Sequence, residues 1–388
     1  MKMKTLSLSS DNLSAFKQRA FLKSTYNILD LKFSIHADHE GILKIFEQAY
    51  ERFKAIYDNA DYHFYVITQN SPFGQPFVIF NNQLHLIYGN ELIYSHAYML
   101  ILNELIDRIR NYFLFHAGVV SKGETGVLIV GPSSFGKTTM TLELVRRGFT
   151  FLSDEFCPID RVNKRIYSFP RSLNVREGSL TILNKIPPKN LLVVKNIGRG
   201  SKLVMDIKEW KEGNVGTSTL GKYIFFLRGK KFYEIDDSVK LIDLALIEED
   251  KKLISQLQMI TNTKMISKTI VECYFVYRFE LKKRAGLMFQ EICKNNSQKI
   301  LYIESISTDV PEYNSEPFLR EVPLSKAIIE MMRNLRNRSQ NSSLVKDFNS
   351  QTQLFMKVGE IVKQMRCYNL SVGKLDKMAE LIIKTVEA

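Results

Sequence analysis

Two short stretches of the sequence hold residues whose types and spacing suit work on phosphate. In "GPSSFGKTTM", Gly131, Gly136, Lys137 and Thr138 fill every fixed position of G-x-x-x-x-G-K-[ST]. Glycines at those places let the backbone turn so that successive N–H groups, and the positive end of the helix behind them, converge on phosphate oxygens. Ser133, Ser134, Phe135 and Thr139 complete the expected cradle for ATP. Lys137 is expected to reach the β- and γ-phosphates, and Thr138 to give its hydroxyl to Mg²⁺. Ser134 and Phe135 stand where a glycine or another small residue is common, which predicts a stiffer loop than usual.

The second stretch is "FTFLSDEF", which ends a short apolar run on Asp154 and Glu155. If that run is a strand of an open α/β sheet, both carboxylates lie at its carboxyl end, beside a phosphate loop at the end of the neighbouring strand. One acid there can hold the shell of a divalent cation and the other can take a proton from an attacking hydroxyl.

The elements needed to position these groups are legible. "GVLIV" is continuously apolar, as a strand buried on both faces is. "KTTMTLELVRRG" follows as a helix, with Arg146 and Arg147 in its last turn and Gly148 as its stop. Just upstream, "YFLFHAGVVSKGETGVLIVG" reads as two apolar runs around the turn "SKGETG", a hairpin-like pair containing His116. A histidine in such a run is as compatible with an ordinary core position as with a site.

Three regions follow from composition and periodicity. Residues 1–110 form an α/β region with strands at "LKFSI", "YHFYVIT" and "PFVIFNNQLHLIYG" and an amphipathic helix at about 93 to 110. Residues 111–250 form the phosphate-loop domain, with further strands at "LLVVKN" and "KYIFFLRG". Residues 251–388 form a mixed, largely helical region, in which Leu354, Phe355, Val358, Ile361, Val362 and Met365 make one helical stripe. Between its helices, 334–353 is polar and reads as a loop. The fold class is therefore α/β.

Charge and composition exclude several classes of protein. No run approaches the roughly 18 apolar residues of a membrane helix, and the first twenty residues lack a secretory pattern, so a cytoplasmic protein without a membrane partner is expected. Cys157, Cys273, Cys293 and Cys367 have neither C-x-x-C spacing nor neighbouring histidines, which argues against zinc and against disulfides. The net charge of +13 is concentrated in residues 161–231, with 16 Lys or Arg against Glu177, Asp206, Glu209 and Glu212. That segment is either a solvated face or a funnel for phosphates and acidic partners. Nucleic acid is not the expected partner, and homo-oligomer formation is left open.

The stretch 111–178 resembles the bacterial HPr kinase/phosphorylase superfamily, whose phosphate-loop domain is similar to that of phosphoenolpyruvate carboxykinase. The likeness rests on "FHAGVV" at His116, the loop itself, the "LELVRRG" helix end, the acid pair after the next strand, and "FPRSLNVREGS". It implies a P-loop kinase core of the HPr kinase type, with Asp154 near Mg²⁺ and the acceptor. It also implies Glu155 in the place of an aspartate that acts as catalytic base, and His116 near the transferred phosphoryl group. The Gly-rich signature that accompanies phosphorylase activity is not visible after residue 165. The chain is in this respect more similar to the single-function kinases of ribosomal-peptide gene clusters, including those for lasso peptides.

The expectation is thus an ATP- and Mg²⁺-dependent kinase acting on a serine hydroxyl of a peptide or protein. Arg171 and Arg176 follow the acid pair closely enough to stabilise transferred charge. A kinase of a small hydroxylated metabolite such as free serine, and a nucleotide sensor without transfer, are the alternatives.

Overall fold

A computed structural model describes residues 5–7, 10–56, 59–69, 71–87, 93–183, 192–196, 200–205, 215–229, 239–246, 248–271, 274–282, 285–296, 299–306, 311–339 and 341–388. The architecture is α/β. Cys273, Arg199 and the parts of the basic segment at 184–191, 197–199, 206–214 and 230–231 lie outside the described residues.

The glycine-containing loop 131–136 springs from the strand Thr125–Val130 of a nine-stranded sheet. Alternate residues of this strand feed different cores. Val127 and Ile129 pack with the helix after the loop, whereas Leu128 and Val130 join the core on the other face. That is why the strand reads as continuously apolar. Its sheet neighbours are Gly118–Lys122, antiparallel, and Ser218–Arg228, parallel. The parallel strand Arg366–Ser371 extends the sheet beyond Ser218–Arg228, so the chain's last strand is a structural part of the phosphate-loop sheet.

The expected hairpin exists between Gly118–Lys122 and Thr125–Val130, turning at Gly123 with φ +56°. The run before it, Tyr112–His116, is a separate strand paired with Phe156–Asp160. The acidic strand, Thr150–Ser153, also differs from expectation. It is not the direct neighbour of Thr125–Val130, because Gly118–Lys122 lies between them. Being antiparallel to the same strand, the two still run in one direction and deliver their carboxyl ends to one edge.

The amino-terminal part is a six-stranded sheet in which Leu31–Ala37 and Tyr62–Ile67 are parallel and all other pairs antiparallel. Its hairpin Phe77–Phe80/Gln83–Leu86 turns on Asn81 and Asn82, both with left-handed φ, as a two-residue turn requires. The helices Glu40–Ala49 and Ile93–Arg108 contribute to the core between this sheet and the acidic strand's continuation at Phe156 and Phe169.

A four-stranded antiparallel sheet follows in 239–306, in the order Thr263–Val271, Tyr274–Lys282, Val239–Leu246, Ile300–Ile306. With helices Lys251–Gln258 and Ala285–Asn295 sharing one core on it, this is a β-α-β-β-α-β unit of the split β-α-β kind.

The polar stretch 334–353, expected as a loop, is irregular over much of its described length but not throughout. It contains the helix Ser343–Lys346 and the start of Gln351–Val362, capped by the Ser342 and Ser350 hydroxyls respectively. Asn337 is fully buried there. Its Oδ1 accepts from the Leu114 N–H at 3.1 Å, and its Nδ2 donates to the carbonyls of Tyr112 at 2.8 Å and Ile109 at 3.3 Å. Among the described residues no helix is long and apolar enough to cross a membrane. Cys157, Cys293 and Cys367 are buried free thiols.

Candidate active site

The loop 131–138 is shaped by its sequence. A Cβ on Gly131 would come within 2.9 Å of Leu227 Cβ, so the close approach of the neighbouring strand demands glycine there. Gly136 has φ +83° and caps the helix Lys137–Arg146. Ser134 has φ +69°, a left-handed conformation that costs a non-glycine residue on the order of 1 kcal/mol. The Phe135 side chain is buried among Met140 and Leu144, which fixes the loop and leaves only its backbone facing the cradle. Ser133 and Ser134 are exposed. The Thr139 hydroxyl donates to Ser179 Oγ at 3.0 Å, so it too faces away from the cradle.

Lys137 folds back over its own loop, with Nζ donating to the carbonyls of Gly131 at 2.8 Å and Pro132 at 3.1 Å. It is a cation held at the loop mouth by neutral acceptors, which phosphate oxygens would outcompete.

Thr138 Oγ1 donates to Asp154 Oδ2 at 3.0 Å, joining the loop to the acid pair. The other oxygen, Asp154 Oδ1, is shut off from solvent and has no hydrogen-bond partner. Burial, aided by the charge of Glu155, pushes the Asp154 carboxyl up to about 7, while the Thr138 bond, Arg171 and Lys137 act in the opposite sense. An orphaned carboxylate oxygen beside a loop hydroxyl fits a hard divalent cation such as Mg²⁺. Among the described residues no three His, Cys, Asp or Glu side chains cluster to hold a metal by themselves.

Glu155 pairs with Arg171, whose Nη2 lies 2.6 Å from Glu155 Oε2. Arg171 is 5% exposed and Glu155 33%, so the pair has a buried cation and a carboxylate partly open to an acceptor. His116 Nδ1 donates to the Glu155 carbonyl at 3.1 Å, which leaves Nε2 as the unprotonated nitrogen of a neutral ring. Burial and the nearby Lys137 charge keep that imidazole well below its usual value, with the charge of Glu155 opposing them.

Asp154, Glu155, His116, Lys137, Thr138 and Arg171 thus stand around one loop mouth. Arg176 is half-buried just before the helix Glu177–Ile182, and its charge acts on Tyr313. Three contributors were not visible in the sequence. The Tyr313 hydroxyl donates to the Ser134 carbonyl. Arg336, anchored through its N–H to the Leu114 carbonyl at 2.7 Å, exerts its charge on both Glu155 and His116. Tyr98 accepts a hydrogen bond from Arg171 Nη1. All three come from chain segments distant from the loop, where no local motif marks them.

No family model matches the chain. Among curated proteins, the HPr kinase/phosphorylase of Clostridium acetobutylicum is 31% identical over 119 residues, covering 29% of this chain and 38% of that protein. The HPr kinase/phosphorylase of Chlorobium phaeobacteroides is 35% identical over 66 residues, 17% of this chain and 20% of the relative. The chain therefore spans well under half the length of these relatives. Among solved structures, the Hpr(Ser) kinase/phosphatase from Coxiella burnetii is similar at 14% identity, over 47% of this chain and 95% of that one, with a TM-score of 0.21.

Proposed function

We propose that this chain is an ATP-dependent kinase that uses Mg²⁺ and transfers the γ-phosphoryl group to a serine hydroxyl of a peptide or protein. The observation that carries the reading is the junction of Thr138 and Asp154 at 3.0 Å, with Asp154 Oδ1 buried and unpartnered at the mouth of a phosphate loop. The partial sequence likeness to HPr kinase/phosphorylases supports it.

The loop N–H groups and Lys137 bind the nucleotide phosphates, Lys137 exchanging its loop carbonyls for phosphate oxygens. Thr138 and Asp154 would hold Mg²⁺, which, when bound, neutralises charge on the β- and γ-oxygens. Glu155 accepts the proton of the attacking hydroxyl. Its pairing with Arg171 weakens it as a base but fixes its direction, and a loose phosphoryl-transfer transition state needs orientation more than basicity. His116 and Arg336 act on Glu155, the first through its backbone carbonyl and the second through charge.

The test is to incubate the protein with Mg²⁺, γ-labelled ATP and a pool of serine-containing peptides, with free serine in a parallel reaction. Label on peptide serine supports the proposal. Label on free serine alone moves the assignment to a metabolite kinase, and tight ATP binding without any transfer moves it to a nucleotide sensor.

A further inference from the structure

The cation that pairs with Glu155 is not held by the phosphate-loop sheet alone. Arg171 is nearly fully buried, and a buried guanidinium must find acceptors for its donors or the fold bears a penalty of several kcal/mol. One side of the fork meets Glu155 Oε2. The other, Nη1, donates to the phenol oxygen of Tyr98, and the guanidinium carbon sits 5.3 Å from the centre of the same ring. Tyr98 belongs to the helix Ile93–Arg108 of the amino-terminal part.

Tyr98 is itself immobilised. It is 5% exposed and its ring stacks on Tyr50, with centroids 5.5 Å apart and planes inclined by 30°. Tyr50 caps the helix Glu40–Ala49 and packs against Tyr26 and Phe33. The backbone is clamped at the same place. Ser172 donates through its N–H to the Ala49 carbonyl at 3.4 Å and through its hydroxyl to the Gln48 carbonyl. Burial pushes the Tyr98 hydroxyl up to about 12, so the phenol stays neutral at working pH. It therefore works by position, not by proton exchange.

We infer that Tyr98 is a positioning residue for phosphoryl transfer: it holds Arg171, which in turn aims the Glu155 carboxylate, so the amino-terminal part completes the transfer site. The inference rests on the kinase reading for its consequence in turnover, but not for the relay itself. The Tyr98 hydroxyl meets Arg171, whereas Lys137 meets the Gly131 and Pro132 carbonyls, so the relay bears on transfer rather than on nucleotide binding.

Tyr98→Phe keeps the ring and its stack and removes only the hydroxyl. In ATP turnover with Mg²⁺ and the serine-peptide pool, kcat should fall by roughly 5- to 30-fold, since small misplacements at a reacting centre are costly. KM for ATP should stay within about twofold, a split that a general loss of structure would not give. Combined with Glu155→Gln, the Phe substitution should add less than about twofold, because both act through one carboxylate. Turnover of Tyr98→Phe within twofold of the parent, or losses that multiply in full, would overturn the inference. Should Tyr98→Phe fold poorly, Arg171→Lys keeps the charge but cannot span both partners, and must show the same kcat loss with KM retained. Full turnover in that variant also overturns it.

A parent protein that neither binds nor consumes ATP ends the kinase reading and leaves the relay to be judged by thermal unfolding. The Tm shifts of Tyr98→Phe and Glu155→Gln should then be non-additive in the double variant. Additive shifts refute the relay, whatever the protein does with nucleotide.

Discussion

The Thr138 hydroxyl and the Asp154 carboxylate, 16 residues apart in the chain, meet at 3.0 Å and bind the first turn of a helix to the end of a strand two positions away in the sheet. This contact makes one candidate site of the loop 131–138 and the acid pair.

Lys137→Ala should abolish nucleotide-dependent turnover while leaving the fold intact. The side chain contacts carbonyls at the loop mouth and fills no apolar core. Turnover and melting temperature measured on one preparation decide the matter. Undiminished turnover would remove the loop from the mechanism.

Glu155→Gln should lower transfer by roughly 10²- to 10⁴-fold, the usual worth of a positioned general base, with ATP affinity retained. Single-turnover transfer rates and equilibrium binding check the two halves separately. A normal transfer rate would mean that the proton goes to another group, with His116 the nearest alternative.

Asp154 gives a pH dependence whose sign follows from its raised pKa. The folded protein keeps the carboxyl protonated up to about pH 7, whereas the unfolded chain releases the proton near the ordinary carboxylate value. Its contribution to stability is therefore complete only below about pH 4, falls as pH rises from there, and is fully lost once pH has passed through 7. Between pH 6 and 8 the nucleotide-free protein should lose about 1 kcal/mol from this group. Denaturant unfolding at the two pH values should show the loss in the parent and its absence in Asp154→Asn. Equal pH slopes would place the carboxyl in a less buried setting than described.

Asn337→Leu should destabilise the protein by about 2–4 kcal/mol, because it leaves the buried Leu114 N–H and the Tyr112 and Ile109 carbonyls without their partner. Chemical denaturation measures it. A change below 0.5 kcal/mol would show that these groups find other partners.

The loop, its flanking strand and helix, and the acid pair were legible because the chemistry is local: a few adjacent residues must turn a backbone, and the order strand, loop, helix, strand is written consecutively. The run Val127–Val130 announced its burial on two faces by having no polar alternation. Tyr98, Tyr313 and Arg336 reach the same site from far along the chain, and nothing in their own neighbourhoods distinguishes them from ordinary surface or core residues. The stretch 334–353 was misread for a related reason. Its polarity does mark exposed positions such as Arg338, Ser339 and Gln351, but it also supplies the Ser342 cap and the buried Asn337 clamp, which no local pattern announces. The four-stranded unit at 239–306 escaped notice because its outer strand Thr263–Val271 is mostly exposed and carries no clean alternation.

The most direct test of the central claim is the affinity for ATP of the parent and of Asp154→Asn, each measured by calorimetry with Mg²⁺ and with a chelator. If Thr138 and Asp154 form the cation side of a phosphate-loop site, Mg²⁺ should strengthen ATP binding to the parent by roughly tenfold or more, and the gain should largely vanish in Asp154→Asn. Equal dependence on Mg²⁺ in both proteins, or no ATP binding by the parent under either condition, would contradict the account.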